Sequence, residues 1–298
     1  MMRTADIQRR LMKFMADNKG ILYLCATPIG NLGDISNRCL EILNEVDIIA
    51  AEDTRRTLQL LNHFGISKPL TSYHEHNKKS KGEYIISLLL DGKNVAQVSD
   101  AGTPAISDPG EDLVKLAIEN EIEVTSVPGP VAGINALILS GLSASRYAFE
   151  GFLSTNKRNR YEHLENIKND THTLIFYEAP HKLLATLKDM QEYFGGERKI
   201  ALARELTKLH EEIIRTTISG ALDYYSEKSP RGEYVLVVEG ASDTNNDDGV
   251  FWQDMTVTEH VDQYINDGMT QKDAIKATAV DRNVPKRDIY AQYHEIGD

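Results

Sequence analysis

A short polar segment in the first half of the chain carries residues that are able to bind a small molecule. The segment SDAGTPAISDPG, residues 99–110, holds two glycines, two prolines and two aspartates and directly follows the apolar run NVAQV. Asp100 can accept hydrogen bonds from an amine or from ribose hydroxyl groups, and Gly102 leaves room for a ligand beside the backbone. A capped turn is the alternative, but this composition after a buried strand favours a loop that binds a nucleoside-like ligand.

Two other turns have a similar character. The turn ATPIGNLGD, residues 26–34, follows ILYLC and combines Pro28 with two glycines, and Asp34 is placed to cap the helix after it. The turn SVPGPVAGINAL, residues 126–137, holds Gly129 between two prolines. Because ligands of open α/β sheets bind beyond the carboxyl ends of the strands, the three turns predict one binding site. A plain strand-to-helix connection at the first turn and a domain hinge at the third are the alternatives.

The elements that position these turns alternate regularly as far as Val127. Apolar runs typical of strands are separated by runs with helical spacing, which favours a mostly parallel sheet covered by helices on both faces. The predicted strands are ILYLCAT, VDIIAAE, NVAQVS and IEVTSV, and the predicted helices are TLQLLNHFG, GEYIISLLLDG and EDLVKLAIEN.

Beyond VPGPVAG the predicted strands follow one another with fewer helices between them. They are AFEGFL, THTLIFYE, KIALARE, EEIIRTTIS and EYVLVVEG, with HKLLATLKDMQEYF as the clearest helix. Strands joined without long crossovers indicate a mixed sheet in a second α/β domain. The acidic segment ASDTNNDDG predicts a linker, and the tail after it predicts two short helices broken near Asn283 and Pro285, similar to a helix-turn-helix.

The chain is therefore predicted to be an α/β protein with two α/β domains and a small C-terminal helical domain. Its 298 residues are more than one domain usually holds. The predicted parts are an N-terminal extension at 1–20, a first α/β domain at 21–127, a second at 128–240, a linker at 241–250 and the helical domain at 251–298.

Composition restricts the class of protein. The formal net charge of -12 argues against non-specific nucleic-acid binding by the whole molecule, although local basic faces can still bind RNA. No apolar run reaches the roughly 18 residues of a membrane span, and the first residues lack a secretory apolar core, so we expect a cytoplasmic protein without a membrane partner. Cys25 and Cys39 stand among apolar residues, which predicts buried thiols rather than a disulfide or a zinc site.

Two basic segments are candidates for contacts with phosphates. They contribute Arg55 and Arg56 in EDTRRT, and Lys157, Arg158 and Arg160 beside the aromatic Tyr161 in STNKRNRYEH. Such clusters bind phosphates and stack bases, although a solvated loop has the same composition. The segment YHEHN is not predicted to bind a metal, because only His74 and His76 of an extended segment share a face and no third ligand is evident.

A series of motifs resembles the tetrapyrrole methylase superfamily. In order, they are LYLCATPIGNLGDIS, AAEDTRRT, SYHEHN, VSDAGTPAISDPG, VPGPVAGINAL, FEGFL, FYEAPHKL, ARELTKLHEE and RGEYVLVVEG. The resemblance implies that S-adenosylmethionine is held in the cleft between the two α/β domains and that the protein is a homodimer. The chain is most similar to the branch that modifies ribosomal RNA. This implies 2'-O-methylation of a cytidine ribose in the decoding region of 16S ribosomal RNA, within the small ribosomal subunit.

Two other functions remain as alternatives. C-methylation of a porphyrin or corrin precursor is disfavoured, because ATPIGNLGD replaces the G-x-G-P-G-D of the superfamily. The other alternative is an RNA-binding protein that keeps a cofactor pocket but does not catalyse methyl transfer.

The resemblance also implies which residues form the site. Cofactor contacts are implied at Pro28, Asp100, Ala101, Gly102, Ala105, Ile106, Val131, Ala132, Tyr177, Glu178, Leu206 and Tyr234. Methyl transfer to a hydroxyl group also needs a proton acceptor and groups that position the substrate. The candidates are Glu178, Lys182, Arg204 and Glu205, with Glu52, Asp53 and Lys208 beside them. For each of them alone, a salt bridge at the domain interface is the alternative, so no single base is assigned.

Overall fold

The structure, a computed structural model, describes residues 19–242, 252 and 255–294. The chain divides into two compact units, Met1–Gly240 and Ala241–Asp298. The predicted N-terminal extension lies outside the described residues except for its last two positions, and so does most of the predicted linker. The predicted domain boundaries therefore stay predictions.

The first half of the larger unit is built on a parallel sheet. Its strands β1–β5 are Ile21–Cys25, Ile48–Ala51, Leu70–Ser72, Val95–Val98 and Glu123–Val127, and its helices α1–α4 are Asn37–Glu45, Thr54–His63, Lys78–Leu90 and Gly110–Glu119. The strand order is β3-β2-β4-β1-β5, and all neighbours are parallel. Every residue of the central strand β4 is buried, as expected for a parallel sheet covered on both faces.

Apolar side chains pack on both faces of this sheet. Leu22 packs with residues of α3 and α4, while Cys25 packs on the opposite face with residues of α1 and α2. This arrangement follows from the alternation of side chains along β1. Cys25 and Cys39 are buried free thiols, so the prediction for the two cysteines is confirmed.

Helix α1 begins at a different cap from the one predicted. The Ser36 hydroxyl accepts a hydrogen bond from the Cys39 N–H at 3.1 Å, whereas Asp34 ends a short 3₁₀ helix whose N-cap is Asn31. The prediction that Asp34 caps α1 was wrong because this 3₁₀ turn moves the helix start along the chain.

Replacing Ser36 with alanine should lower the free energy of unfolding by about 1 kcal/mol, because an orphaned helix N–H loses its acceptor. The matched substitution Asp34→Ala should cost clearly less, since Asp34 is exposed and does not cap α1. Urea unfolding followed by circular dichroism measures both losses. Equal losses would contradict this assignment of the cap.

The second half of the larger unit is built on a mixed sheet. Its strands β6–β10 are Tyr147–Phe152, Thr173–Glu178, Lys199–Arg204, Glu212–Thr217 and Tyr234–Val238. The order is β6-β7-β10-β8-β9, in which β6 and β7 are parallel and the other neighbours are antiparallel. Because β10 lies between β7 and β8, Tyr234 stands opposite both Glu178 and Arg204.

Helices cover both faces of the mixed sheet. Helix α5, Ala132–Ser140, packs on one face, and α6–α8 pack on the other; their ranges are Lys157–Ile167, Leu183–Phe194 and Ile218–Ser226. Most of the segment STNKRNRYEH, for which a solvated loop was the alternative, forms the start of helix α6. The Asn156 side chain caps it by accepting hydrogen bonds from two N–H groups, and its buried residue is Leu164. With so little apolar periodicity, the sequence did not indicate a helix there.

The smaller unit contains helices α9–α11, which are Val257–Asn266, Gln271–Asp281 and Lys286–His294. Their apolar side chains pack around Val261, Ile275 and Ile289. The predicted two helices correspond to α10 and α11, and α9, which begins with a capping box of Thr256 and Glu259, was not predicted. Among the described residues, no helix has the length and apolar character of a membrane span.

Candidate active site

The three predicted turns lie together at the carboxyl edge of the parallel sheet. The backbones of Thr27 and Gly102 exchange two hydrogen bonds, at 2.9 and 3.0 Å. The Thr103 hydroxyl donates to the carbonyl oxygen of Pro130 at 3.1 Å. A Cβ atom on Gly129 would lie 2.6 Å from the Cβ of Ala26, so the first and third turns are in close contact. The structure therefore joins the three turns into one platform.

The second turn is held in a strained conformation by one carboxylate. Ala105 and Ser107 have φ angles of 67° and 63°, which non-glycine residues seldom adopt. The Asp108 carboxylate accepts hydrogen bonds from the N–H of Ala105 at 3.0 Å and of Gly110 at 2.7 Å. Burial raises the pKa of Asp108, although these hydrogen bonds act in the opposite direction. Strain of this kind concentrates at binding sites.

A cavity of about 610 Å³ lies between this platform and the mixed sheet. Most of the predicted cofactor residues line it, namely Asp100, Ala101, Gly102, Ile106, Val131, Ala132, Tyr177, Glu178, Leu206 and Tyr234. Pro28 and Ala105 are not among its lining residues. Ile29 lines the cavity beside Pro28, and the Ala105 N–H is bound to Asp108.

The end of β7 contributes an aromatic wall and a buried carboxylate. The Tyr177 hydroxyl accepts a hydrogen bond from the Gly133 N–H at 3.2 Å, and the Tyr177 ring meets the rings of Phe149 and Phe152 edge-on. Burial raises the pKa of Tyr177. The neighbouring carboxylate of Glu178 is only 5% exposed and accepts hydrogen bonds from the Ala179 N–H and the Thr186 hydroxyl.

A turn from the mixed sheet closes the cavity on the opposite side. Glu205 and Thr207 have φ angles of 52° and 65°. The Glu205 carboxylate accepts hydrogen bonds from the Lys208 ammonium at 3.0 Å and from the Glu233 N–H at 3.1 Å. Burial acts to raise the pKa of Glu205, but these hydrogen bonds together with the positive charges of Lys208 and Arg204 outweigh it and leave the pKa below its usual value. A Cβ atom on Gly30 would lie 2.4 Å from Lys208 Cγ, so the first turn approaches this segment closely.

The sequence and the fold of the chain are similar to those of known proteins. The family model for Tetrapyrrole (Corrin/Porphyrin) Methylases matches residues 21–221. The chain belongs to the tetrapyrrole methylase family. Two relatives, both named Ribosomal RNA small subunit methyltransferase I, are 49% identical to this tetrapyrrole methylase. The one from Bacillus subtilis covers 96% of this chain and 98% of its own length, and the one from Halalkalibacterium halodurans covers 94% and 96%.

Solved structures of distant sequence share the fold. Uroporphyrin-III-C-methyltransferase from Thermus thermophilus matches with a TM-score of 0.53 and 18% identity over 74% of this chain and 94% of that chain. The methyltransferase CobJ matches with a TM-score of 0.57 and 17% identity over 74% of this chain and 95% of that chain. At these identities the likeness concerns the fold alone. The predicted fold class of this tetrapyrrole methylase is confirmed.

Only part of the predicted catalytic set of this tetrapyrrole methylase reaches the cavity. Glu178 and Glu205 line it, but their carboxylates are engaged in the hydrogen bonds described above. Arg204 and Lys182 do not line it. Arg204 Nε lies 3.1 Å from a carboxylate oxygen of Glu212 across the β8–β9 pair, and Lys182 stands at the start of α7.

The predicted phosphate-binding residues fall into three groups. Arg55, Lys157 and Arg158 are exposed, and Arg55 is paired with Asp53 on the first turn of α2. Arg56 lines the cavity, with its guanidinium 3.2 Å from the Asp100 carboxylate. Arg158 Nε lies 3.0 Å from a Glu162 oxygen in an exposed ion pair. Arg160 differs in burial, since its side chain is 19% exposed and its Nε lies 2.6 Å from the 12% exposed carboxylate of Asp189. Arg160 thus contributes to the packing of α6 on α7 rather than to an accessible basic face.

The histidine-rich segment forms a turn after β3 rather than the predicted extended segment. The rings of His74 and His76 lie 6.0 Å apart, and the Asn77 side chain accepts a hydrogen bond from the His74 N–H. Within the described ranges, no three histidine, cysteine or carboxylate side chains are grouped so as to hold a metal ion.

Several residues of the cavity were not singled out from the sequence. They include Ile29, Phe152, His181, Glu233 and Val235. His181 was within reach of prediction, because it follows the carboxyl end of β7 by three residues, where site residues concentrate. Glu233 directly precedes β10 and Val235 is its second residue. Because β10 is antiparallel to β7, no sequence pattern places the start of that strand at the same edge.

Proposed function

We propose that this tetrapyrrole methylase is a cytoplasmic, S-adenosylmethionine-dependent methyltransferase of ribosomal RNA. It transfers a methyl group to the 2'-oxygen of a cytidine ribose in the decoding region of 16S ribosomal RNA, within the small subunit. The observation that carries the proposal is the 49% identity over nearly the whole chain with proteins named Ribosomal RNA small subunit methyltransferase I. The cleft supports it independently.

The cavity suits S-adenosylmethionine in charge. Its lining holds six carboxylates and two permanently cationic side chains, and these are Glu52, Asp100, Asp108, Glu178, Glu205 and Glu233 against Arg56 and Lys208. A surplus of negative charge favours a ligand that carries a sulfonium and an ammonium group. The surplus opposes a porphyrin or corrin precursor, which carries several carboxylates of its own.

The cavity also offers an apolar surface and open backbone. Ile106, Val131, Leu206 and Val235 give it aliphatic walls on which an adenine ring can pack. A side chain at Gly102 would press on Ile29 and on the Pro130 carbonyl, and the positive φ angle of 85° there also favours glycine. These features support contacts between the backbone of the second turn and a bound cofactor.

The RNA is proposed to reach this cleft along exposed basic residues at its mouth. Arg55 and Arg56 follow the carboxyl end of β2, and Lys157 and Arg158 follow that of β6 after a short connection. Because the whole molecule is acidic, contacts with phosphates must be confined to such faces.

Replacing Arg158 with alanine should weaken RNA binding and lower the slope of log affinity against log salt by about one, since one phosphate contact is lost. Arg160→Ala should instead lower the melting temperature and leave that slope unchanged, because its guanidinium is tied to Asp189. Binding of a short RNA at several salt concentrations, with a thermal melt of each variant, separates the two effects. An unchanged slope for Arg158→Ala would remove Arg158 from the proposed RNA surface.

The protein is also proposed to act as a homodimer, and an exposed apolar face supports this. On α5, Ile134 and Ile138 are exposed, and on the edge strand β6 so are Tyr147 and Phe149. The Phe149 ring lies beside α5, 3.6 Å from where a Cβ of Gly133 would stand. Exposed apolar surface that continues from a helix to an edge strand marks an association site.

The deciding experiment is transfer of labelled methyl from S-adenosylmethionine into small ribosomal subunits that lack their native modifications. Digestion of the RNA to nucleosides should place the label in 2'-O-methylcytidine. The variant Asp100→Ala should abolish this labelling. The Asp100 carboxylate lies 3.2 Å from the Arg56 guanidinium and accepts a hydrogen bond from the Asp53 N–H, so its loss removes both contacts. Label in a porphyrinogen precursor and none in RNA would overturn the proposed substrate, and binding without transfer would indicate a non-catalytic protein.

A further inference from the structure

Glu52 lies at the carboxyl end of β2, beside the loop that follows β4. Its neighbour Ala51 pairs with Val98 of β4, so the two chain segments leave the sheet side by side. Glu52 is half-buried and lines the cavity together with Asp100 and Asp108. The side chain therefore stands at the carboxyl edge of the parallel sheet, where the cavity lies.

The other carboxylates of the cavity are engaged by several donors each or by a cation. Asp100 accepts the Asp53 N–H at 2.9 Å and lies 3.2 Å from Arg56. Asp108, Glu178 and Glu205 accept the hydrogen bonds described above, and Glu233 lies 2.9 Å from Lys208.

The backbone N–H of Asp100 lies close enough to the Glu52 carboxylate to lower its pKa, and in the described part of the chain no side chain donates a hydrogen bond to that carboxylate. A single N–H leaves most of the lone pairs of a carboxylate available to a hydroxyl group.

The surroundings of Glu52 also favour its protonated form. Burial raises the pKa of Glu52 most, and the charges of Asp100 and Asp108 raise it further. The Asp100 N–H and the guanidinium of Arg56, which faces Glu52 from α2, lower the pKa but do not cancel the rise. A carboxylate with a raised pKa is a stronger base at neutral pH than an ordinary glutamate.

We propose that Glu52 accepts the proton of the attacking ribose hydroxyl group. The proposal rests on the proposed function. When bound, S-adenosylmethionine supplies a methyl group on sulfonium sulfur: the hydroxyl oxygen forms a bond to that carbon, the carbon–sulfur bond breaks, and its electron pair stays on sulfur. The hydroxyl proton moves to the Glu52 carboxylate, which becomes a neutral acid and later releases the proton to water.

The test compares Glu52→Gln with the wild-type protein and with Glu41→Gln, a matched change at an exposed residue of α1. Single-turnover methyl transfer into unmodified small subunits should fall by about 100-fold or more in Glu52→Gln. The wild-type rate should decrease as the pH falls through the pKa of Glu52, because the protonated acid cannot accept a proton. This acidic limb should be absent from the residual activity of Glu52→Gln and present in Glu41→Gln.

Two further measurements do not depend on methyl transfer. Calorimetric titration should give an affinity for S-adenosylmethionine that is at most a few-fold weaker in Glu52→Gln than in the wild type, because five other carboxylates line the cavity. Infrared difference spectra of the cofactor-free protein should show a carboxylate that titrates above the usual glutamate range and is missing in Glu52→Gln.

Two outcomes would overturn the role assigned to Glu52, and a third would overturn the proposed function on which that role depends. An unchanged rate in Glu52→Gln would overturn it. Weakened S-adenosylmethionine binding with a normal rate at saturation would assign Glu52 to cofactor binding instead. If the wild type itself transfers no methyl to RNA, the proposed function fails and the role of Glu52 fails with it, a result distinct from a defect confined to the variant.

Discussion

Asp108→Ala should weaken the binding of S-adenosylmethionine by about 100-fold or more. The Asp108 carboxylate holds the N–H groups of Ala105 and Gly110 and so keeps Ala105 and Ser107 at positive φ. Each residue in such a conformation costs roughly 1–3 kcal/mol, which the loop can release by relaxing once the carboxylate is gone. Since each 1.4 kcal/mol corresponds to about tenfold in affinity, relaxation of two residues accounts for a loss of this size.

One further variant separates the role of the acceptor atom from that of the charge, and a second serves as a control. Asp108→Asn keeps one oxygen that can accept a hydrogen bond, so its loss of affinity should be smaller than that of Asp108→Ala. Asp91→Ala changes an exposed aspartate at the end of α3 and should leave affinity unchanged. Isothermal titration calorimetry measures all three, with a thermal melt of each variant to show that it is folded. Wild-type affinity in a folded Asp108→Ala protein would mean that the strained loop does not form the binding surface.

Much of the fold followed from local patterns in the sequence. Buried runs such as VAQV and the helical spacing of EDLVKLAIEN predicted β4 and α4, because burial on both faces and an amphipathic period leave clear signals. The three glycine turns predicted the edge of the sheet at which the cavity lies. Helices α6 and α8 escaped prediction because their positions depend on packing against the mixed sheet more than on apolar periodicity.

The roles of individual side chains were less predictable than the site itself. Glu178 was a candidate base, but its carboxylate is occupied by the hydroxyl of Thr186, eight residues further on, once α7 folds back on β7. Arg160 was a candidate for RNA binding, but Asp189 on α7 engages it. Such pairs are made by tertiary contacts, so the identity and spacing of residues in the sequence do not reveal them.

The exposed face of α5 and β6 leads to the second prediction with a large effect. Ile138 is 67% exposed, although it lies on the helix that packs against the mixed sheet. An interface of ordinary size removes about 800 Å² per partner from water, and its apolar centre carries most of the affinity. In a two-fold dimer each residue of this face occurs twice, so one substitution changes the interface at two positions.

If the proposed dimer forms through this face, Ile138→Asp should convert it to a monomer and raise its dissociation constant by about 100-fold or more, because two carboxylates would be buried without partners. Ile118→Asp is the matched control, since Ile118 is 63% exposed on α4 and lies outside the α5–β6 face. Sedimentation velocity over a range of concentrations gives the mass of each variant, and circular dichroism shows whether each is folded. A dimeric Ile138→Asp protein would exclude this face as the interface, whereas a monomeric wild type would refute the homodimer itself. If Ile138→Asp is monomeric and Ile118→Asp remains dimeric, the α5–β6 face joins the two subunits, and the exposed apolar side chains are explained by burial in the dimer.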